Sequence, residues 1–208
     1  MRTQTPKEEL YNSITHGIGF LLSLIGFALL LIYQEHSSVL GIIAVCLYGV
    51  SLSTLYFAST LYHYEKKEIR KNFYRKLDHI SIYFLIAGTY SPVVLITLNH
   101  SLGWTLFCIV WGLAIIGSIL KIFFTGKYEV LSVLLYLIMG WLIVFDFSAL
   151  REIVDTTGII LLMSGGAAYT IGIIFYALHH VKHNHVIWHV FVLLGSIFHY
   201  IFIFLKVI

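Results

Sequence analysis

The sequence predicts an all-α membrane protein built as a bundle of seven transmembrane helices. Three observations carry this prediction: the composition, the number of long uncharged runs, and the uneven distribution of Lys and Arg between the runs. Of the 208 residues, 59% are hydrophobic and only 11% are charged. Because a soluble domain carries about 25% charged residues, this composition is typical of an integral membrane protein.

Seven apolar runs without Asp, Glu, Lys or Arg define the expected helices. Crossing ~30 Å of hydrocarbon takes ~20 residues at a rise of ~1.5 Å each. The fifth run is the shortest, so we expect its flanks to reach the headgroups. The chain is expected to form a single domain, residues 1–208, and its first run is too long for a cleavable signal peptide. In chain order the runs are residues 14–33, 39–62, 80–98, 102–120, 130–145, 156–178 and 186–205.

The basic residues predict the orientation, because cytoplasmic loops keep an excess of Lys and Arg. With the N-terminus in the cytoplasm, that side holds 11 of the 13 basic residues, including Arg2, and the other side holds Arg151 and Lys206. The C-terminus is therefore expected outside. The segment HYEKKEIRKNFYRK, which follows the second run, is expected to lie near anionic lipid headgroups and not to bind nucleic acid.

Polar residues collect where three of the runs reach the expected cytoplasmic side. The second run ends in STLYH, which places Ser59 four residues before His63. The third run follows KLDHIS, with Asp78 at its start, and the seventh begins with HVIWH, which contains His185 and His189. Residues four apart share one face of a helix, so we expect these five side chains to meet at one membrane level.

The three histidines predict a metal site. Three imidazoles with an open fourth position are the ligand set of a catalytic zinc ion, and they suit zinc well, although another divalent metal stays an alternative. We therefore predict that His63, His185 and His189 bind Zn²⁺, which makes the burial of neutral imidazoles tolerable. The alternative is a metal-free cluster in which the histidines hydrogen-bond to carbonyl groups or to Asp78.

The remaining histidines are assigned other roles. His16 and His79 are excluded from the ligand set by their expected depth. His199 lies ~15 Å beyond His189 and roughly 80° off its helix face. It is expected to form a hydrogen bond between helices, with contact to a ligand headgroup as the alternative. Loop positions are expected for His179, His180 and His183.

These motifs resemble the progestin and adiponectin receptor superfamily, and the chain looks like its bacterial hemolysin III branch. The resemblance covers essentially the whole chain and rests on NSITHGIGF, STLYHY, KLDHISIYFLIAGTYSP and HVIWHVFVLLGSIFHY. It implies a multi-pass protein of a bacterial plasma membrane with zinc on the three histidines. It also implies that Asp78 and Ser59 lie beside the bound water. The chain has too few residues before its first run for us to expect a protein hormone as a partner.

This residue set predicts hydrolysis of an amide or ester bond. Zinc activates water at neutral pH, Asp78 could transfer the proton to the leaving group, and Ser59 could hydrogen-bond the water or a developing oxyanion. A site just below the membrane surface favours membrane lipids as partners. The resemblance, which extends to the alkaline ceramidases, implies ceramide-like lipid amides.

Two other functions stay open. The first is a non-enzymatic membrane sensor in which closed four-fold zinc coordination only ties spans two, three and seven together. The second is the hemolytic, pore-forming activity that the branch name suggests. A pore needs a polar stripe, and the runs offer almost no charge beyond Asp146, which is interpreted as an interfacial residue. We therefore rank cytolysis last.

Two further features are interpreted as architecture. Pro92 removes a backbone donor within the third run, and we expect it to kink that helix and to open a cavity above the metal. The sixth run is rich in small residues, which favour close packing between membrane helices. These are Gly165, Gly166, Ala167, Ala168 and Gly172.

Overall fold

A computed structural model describes residues 4–34 and 38–208, and within them every regular element is helical. Seven helical stretches are long and apolar enough to cross a membrane, which confirms the predicted seven-helix membrane fold. Arg2 lies outside the described residues, and the orientation stays a prediction. The α-helices are α1 (Pro6–Tyr33), α2 (Val39–Tyr64), α3 (Glu68–Pro92), α4 (Gly103–Phe124), α5 (Glu129–Trp141), α6 (Phe147–Ile153), α7 (Thr156–Ala177) and α8 (Asn184–Lys206).

Helix α1 begins two turns before the first apolar run. Thr5 and Glu8 form a capping box: the Thr5 hydroxyl accepts from the Glu8 N–H at 3.3 Å, and the Glu8 carboxylate accepts from the Thr5 N–H at 2.8 Å. Pro6 occupies the first turn, where its missing N–H costs no helical hydrogen bond. These polar turns bring Glu8 and Glu9 within reach of α2 and α8.

Helix α3 begins well before the third apolar run, so most of the basic segment is helical. The connection from α2 is only residues 65–67. Within it, the Glu65 carboxylate accepts from the N–H groups of Lys66 and Lys67, both at 2.9 Å. The Lys67 hydrogen bond lowers the pKa of Glu65, which keeps the turn's acceptor ionised.

Pro92 interrupts the third span as expected. α3 ends at this residue, and the chain continues as a π-helical segment, Val93–Thr97, in which the Leu98 N–H donates to the Val93 carbonyl. A proline in a helix and a π-helical turn are both recognised sources of local distortion. The distortion lies next to the internal cavities described below.

The fifth span gains its length from its flanks. A 3₁₀ segment, Leu142–Asp146, joins α5 to α6, and together they give a stretch of 25 residues, Glu129–Ile153. Asp146 is buried and accepts from the Ser101 hydroxyl at 2.6 Å and from the Leu102 N–H at 2.9 Å. Its role is therefore to hold the turn before α4, which the interfacial interpretation did not include.

The helices that carry the predicted site residues pack closely together. α2 packs against both α1 and α3, α7 packs against α8, and α1 also contacts α8. The small residues of the sixth span serve the α7–α8 contact: a Cβ added at Gly172 would lie 2.8 Å from the Trp188 ring. α1, α2, α3 and α8 therefore meet at the end of the bundle that holds His63 and His185, here called the histidine end.

Candidate metal centre

The structure brings His63, His185 and His189 together, although His63 is separated from the other two by more than 100 residues of sequence. His63 lies in the last turn of α2, and the other two lie in the first two turns of α8. One ligand atom from each residue lies within 4.8 Å of the others. The ring centroids are 4.7–5.2 Å apart. Three histidines in this arrangement could bind a metal ion.

The hydrogen-bonding state of these rings fits a cation. His63 Nε2, His185 Nε2 and His189 Nδ1 are all buried and have no hydrogen-bond partner. A buried polar atom without a partner costs about 1–3 kcal/mol, and three in one cluster multiply that cost. An ion coordinated by these nitrogens would offset it, and an all-imidazole set is the kind that zinc accepts.

Ser59 and Asp78 lie beside the histidines. Both are buried, and both line a cavity of about 40 Å³ whose wall also contains His185 and His189. The buried Ser59 hydroxyl lies beside the Asp78 carboxylate and has no other hydrogen-bond partner. The cavity has room for a few water molecules. A hydroxyl group, a carboxylate and two histidines of a cluster that could bind a metal therefore border one small space.

Glu9 is a site residue that the sequence reasoning missed. Its carboxylate lies 2.6 Å from His63 Nδ1 and accepts from Lys71 Nζ at 2.8 Å. A carboxylate can only accept here, so Nδ1 carries the hydrogen, and in the neutral tautomer this leaves the Nε2 lone pair for a metal ion. Carboxylates that hold metal-binding histidines in this way are common in zinc sites. The capping-box pattern TPKE at Thr5–Glu8 would have placed Glu9 in the first turns of α1, although not its contact with α2.

His16 is a second neighbour of the site. Its ring stacks on that of His189, with centroids 3.6 Å apart and planes 9° from parallel, and both of its nitrogens are buried without a partner. The expectation that depth separates His16 from the site is therefore wrong. Its exclusion from the ligand set still follows, because one ion cannot lie in the planes of two stacked rings.

His79 belongs to a separate charge cluster on the other wall of the cavity. Its Nδ1 lies 3.9 Å from a Glu129 oxygen, and the second Glu129 oxygen accepts from Lys121 Nζ at 2.9 Å. Lys121 is only 2% exposed. This cluster joins α3, α4 and α5, and two of its members, His79 and Glu129, line the same cavity as His185 and His189.

Four other histidines for which the sequence predicted a position lie where it placed them. His179 and His180 are exposed in the connection between α7 and α8. His183 ends that connection, and its backbone N–H donates to the Glu8 carboxylate at 3.1 Å. His199 lies 3.2 Å from the Leu162 carbonyl oxygen through its Nε2, which is the predicted hydrogen bond between helices.

Comparison with known proteins identifies the family of this chain. The family described as Haemolysin-III related matches residues 4–200, which include every residue of the site. The chain belongs to the haemolysin-III family. This haemolysin-III protein is 46% identical over 195 residues to Hemolysin-3 of Bacillus cereus, covering 93% of this chain and 89% of the relative.

Two further relatives show how far the similarity extends. The Hemolysin-3 homolog of Bacillus subtilis (strain 168) is 43% identical over 193 residues, covering 92% of this chain and 91% of that one. The Homo sapiens monocyte to macrophage differentiation factor is 27% identical over 199 residues, covering 93% and 82%. Together with the seven apolar helices, these matches identify a multi-pass membrane protein of the haemolysin-III family.

The position of Glu9 leads to a prediction about metal affinity. We expect Glu9→Gln to weaken zinc binding about 10- to 100-fold, because a neutral amide oxygen is a weaker acceptor for the Nδ1 hydrogen than the carboxylate and no longer makes the His63 ring a stronger metal ligand. The measurement is a competition titration of purified protein against a chromophoric zinc chelator. Glu68→Gln, at an exposed position in the first turn of α3, is the control. Equal zinc affinity in the Glu9 variant and the wild type would remove Glu9 from the site.

Proposed function

We propose that this haemolysin-III protein is a zinc-dependent hydrolase that cleaves an amide or ester bond of a membrane lipid, with ceramide-like amides as the substrate class. One observation carries the proposal. Two members of the three-histidine cluster, His185 and His189, line a small cavity whose wall also contains Asp78 and Ser59. A metal ion bound here would activate a water nucleophile. Asp78 would carry the proton, and Ser59 would donate a hydrogen bond to the developing oxyanion.

The site residues divide the work of hydrolysis. The three imidazoles would hold zinc at three positions, and bound zinc supplies Lewis acidity and an activated water. Asp78 would take a proton from that water as the water oxygen bonds to the carbonyl carbon. Ser59 would donate a hydrogen bond to the carbonyl oxygen as negative charge develops there. Asp78 would then give the proton to the leaving nitrogen as the C–N bond breaks, which releases a fatty acid and an amine.

The surroundings of the site support a lipid substrate. Leu55, Ile82 and Trp188 line both the site cavity and a larger apolar cavity of about 90 Å³ that continues into the bundle. A substrate with its carbonyl group at the histidines could therefore place an apolar chain between the helices. The excess of basic residues at the histidine end and the Bacillus relatives support placing the reaction at the cytoplasmic face of a bacterial plasma membrane.

The direct test is release of fatty acid from defined ceramides and lipid esters by purified protein in detergent. We expect release that disappears after treatment with a strong chelator and returns when zinc is added, as measured by mass spectrometry of the product. Zinc-replete protein that releases no fatty acid from any of these lipids would contradict the proposal. Bound zinc without turnover would favour the sensor. Leakage of dye-loaded vesicles without turnover would favour the hemolytic, pore-forming activity that the relative's name Hemolysin-3 suggests.

A further inference from the structure

The apolar cavity next to the metal site continues to the middle of the bundle. The cavity of about 90 Å³ shares Thr89, Tyr90, Trp141 and Gly166 with a third cavity of about 40 Å³. Each of the three cavities therefore shares wall residues with the next, and together they follow one another from the histidine end inward. The walls of the two deeper cavities are mainly apolar, which suits an alkyl chain.

His199 lines the deeper two of these cavities and presents an acceptor without a partner. Its Nε2 lies 3.2 Å from the Leu162 carbonyl oxygen, which can only accept, so Nε2 carries the hydrogen of the neutral ring. Nδ1 is then a lone-pair acceptor. It is buried and has no hydrogen-bond partner, in a wall that is otherwise mainly apolar.

The ring of His199 is held in place by its neighbours. A Cβ added at Gly165 would lie 2.1 Å from His199 Cδ2, so α7 and α8 approach closely only because this residue is glycine. The Tyr169 ring packs on another side of the imidazole, with centroids 5.5 Å apart. A ring held in this way cannot easily turn Nδ1 towards another partner.

Other polar groups of the same wall are already engaged. The Tyr90 hydroxyl donates to the Gly140 carbonyl at 2.9 Å and accepts from the Ile143 N–H at 2.9 Å. The Thr170 hydroxyl donates to the Gly166 carbonyl at 2.8 Å. Since these groups have partners within the protein, His199 Nδ1 stands out, among the described residues that line these two cavities, as an acceptor left for a ligand.

We propose that His199 is a binding subsite for a hydroxyl group carried on the apolar chain of a lipid ligand. The hydroxyl donates to Nδ1, while the polar end of the ligand lies at the three histidines. His189 and His199 are ten residues apart on one helix, which is ~15 Å and matches an extended chain of roughly a dozen carbons. The position of the polar end rests on the proposed function, and the hydroxyl subsite itself does not.

The test compares two fatty acids that differ by one hydroxyl group, dodecanoate and ω-hydroxydodecanoate. Each displaces a terminally brominated undecanoate, whose bromine quenches the cavity tryptophans Trp141 and Trp188. We expect the preference for the hydroxylated chain over the plain one to fall about three- to tenfold in His199→Phe, the size of one hydrogen bond. His100→Phe, at an exposed histidine, should leave the preference unchanged.

A second variant guards against a folding defect in His199→Phe. Gly165→Ala keeps the histidine but displaces its ring, so it should lose the same preference. An unchanged preference in both variants overturns the proposal, and so does a brominated chain that fails to quench. The comparison is repeated in His63→Ala protein. If the preference for the hydroxylated chain persists in His63→Ala while neither the wild type nor any variant hydrolyses lipid, the proposed function fails and the subsite stands.

Discussion

Replacing Asp78 with asparagine is expected to slow hydrolysis of a lipid amide by roughly two to four orders of magnitude while the protein keeps its zinc. Asparagine has nearly the same shape but cannot carry the proton from water to the leaving nitrogen. Asp78 lines the cavity without belonging to the three-histidine cluster, so its replacement separates turnover from metal binding. The measurement is kcat together with zinc content on the same preparation.

Asp155→Asn is the matched control for this experiment. Asp155 is an exposed N-cap of α7, and asparagine caps helices equally well. Its carboxylate accepts from Lys206 at 2.7 Å, which lowers its pKa, and it does not line the site cavity. Turnover should therefore stay at the wild-type level. If Asp78→Asn also kept full turnover on a confirmed substrate, the proton-transfer role would be wrong.

The second large effect concerns the metal itself. We expect wild-type protein to contain about one zinc ion per chain and His189→Ala to contain almost none, because two imidazoles hold zinc far less tightly than three. Elemental mass spectrometry of purified protein measures this directly. His180→Ala removes an exposed histidine from the connection before α8 and should retain the metal.

Two results would go against the metal prediction. Equal zinc in His189→Ala and wild type would mean that the ion lies elsewhere. Carefully prepared wild type without any metal would leave His63, His185 and His189 as a buried cluster without an ion. The unpartnered nitrogens would then need water molecules as their partners. The hydrolase proposal would fall with the second result.

The sequence predicted the number of spans and the three clustered histidines because both depend on short-range patterns. Uncharged runs mark the segments that lipid can surround, and the four-residue spacing of His185 and His189 puts them on one face. The residues at which α1 and α3 begin could not be predicted from hydropathy. Those helices continue through polar residues, with the Thr5 capping box at the start of α1.

The neighbours of the histidines were harder to predict for a different reason. Glu9 and His16 reach the site through the packing of α1 against α2 and α8, and no spacing within one helix encodes that contact. Glu9 fell outside the expected site because α1 was judged by its apolar run alone, whereas His16 lies inside that run and was set aside because of its expected depth. Ser59 and Asp78 could be placed because each lies close in sequence to the expected membrane surface.

The polar first turns of α1 connect α2 and α8, the two helices that carry the three-histidine cluster. Glu9 holds His63 at the end of α2, and Glu8 accepts the His183 N–H at the entry to α8. Docking of α1 and occupation of the cluster are therefore thermodynamically linked. By reciprocity, if docking of α1 strengthens metal binding, then bound metal stabilises the docked α1 against local unfolding by the same free energy. Metal supply would then set how firmly the first helix is attached to the bundle.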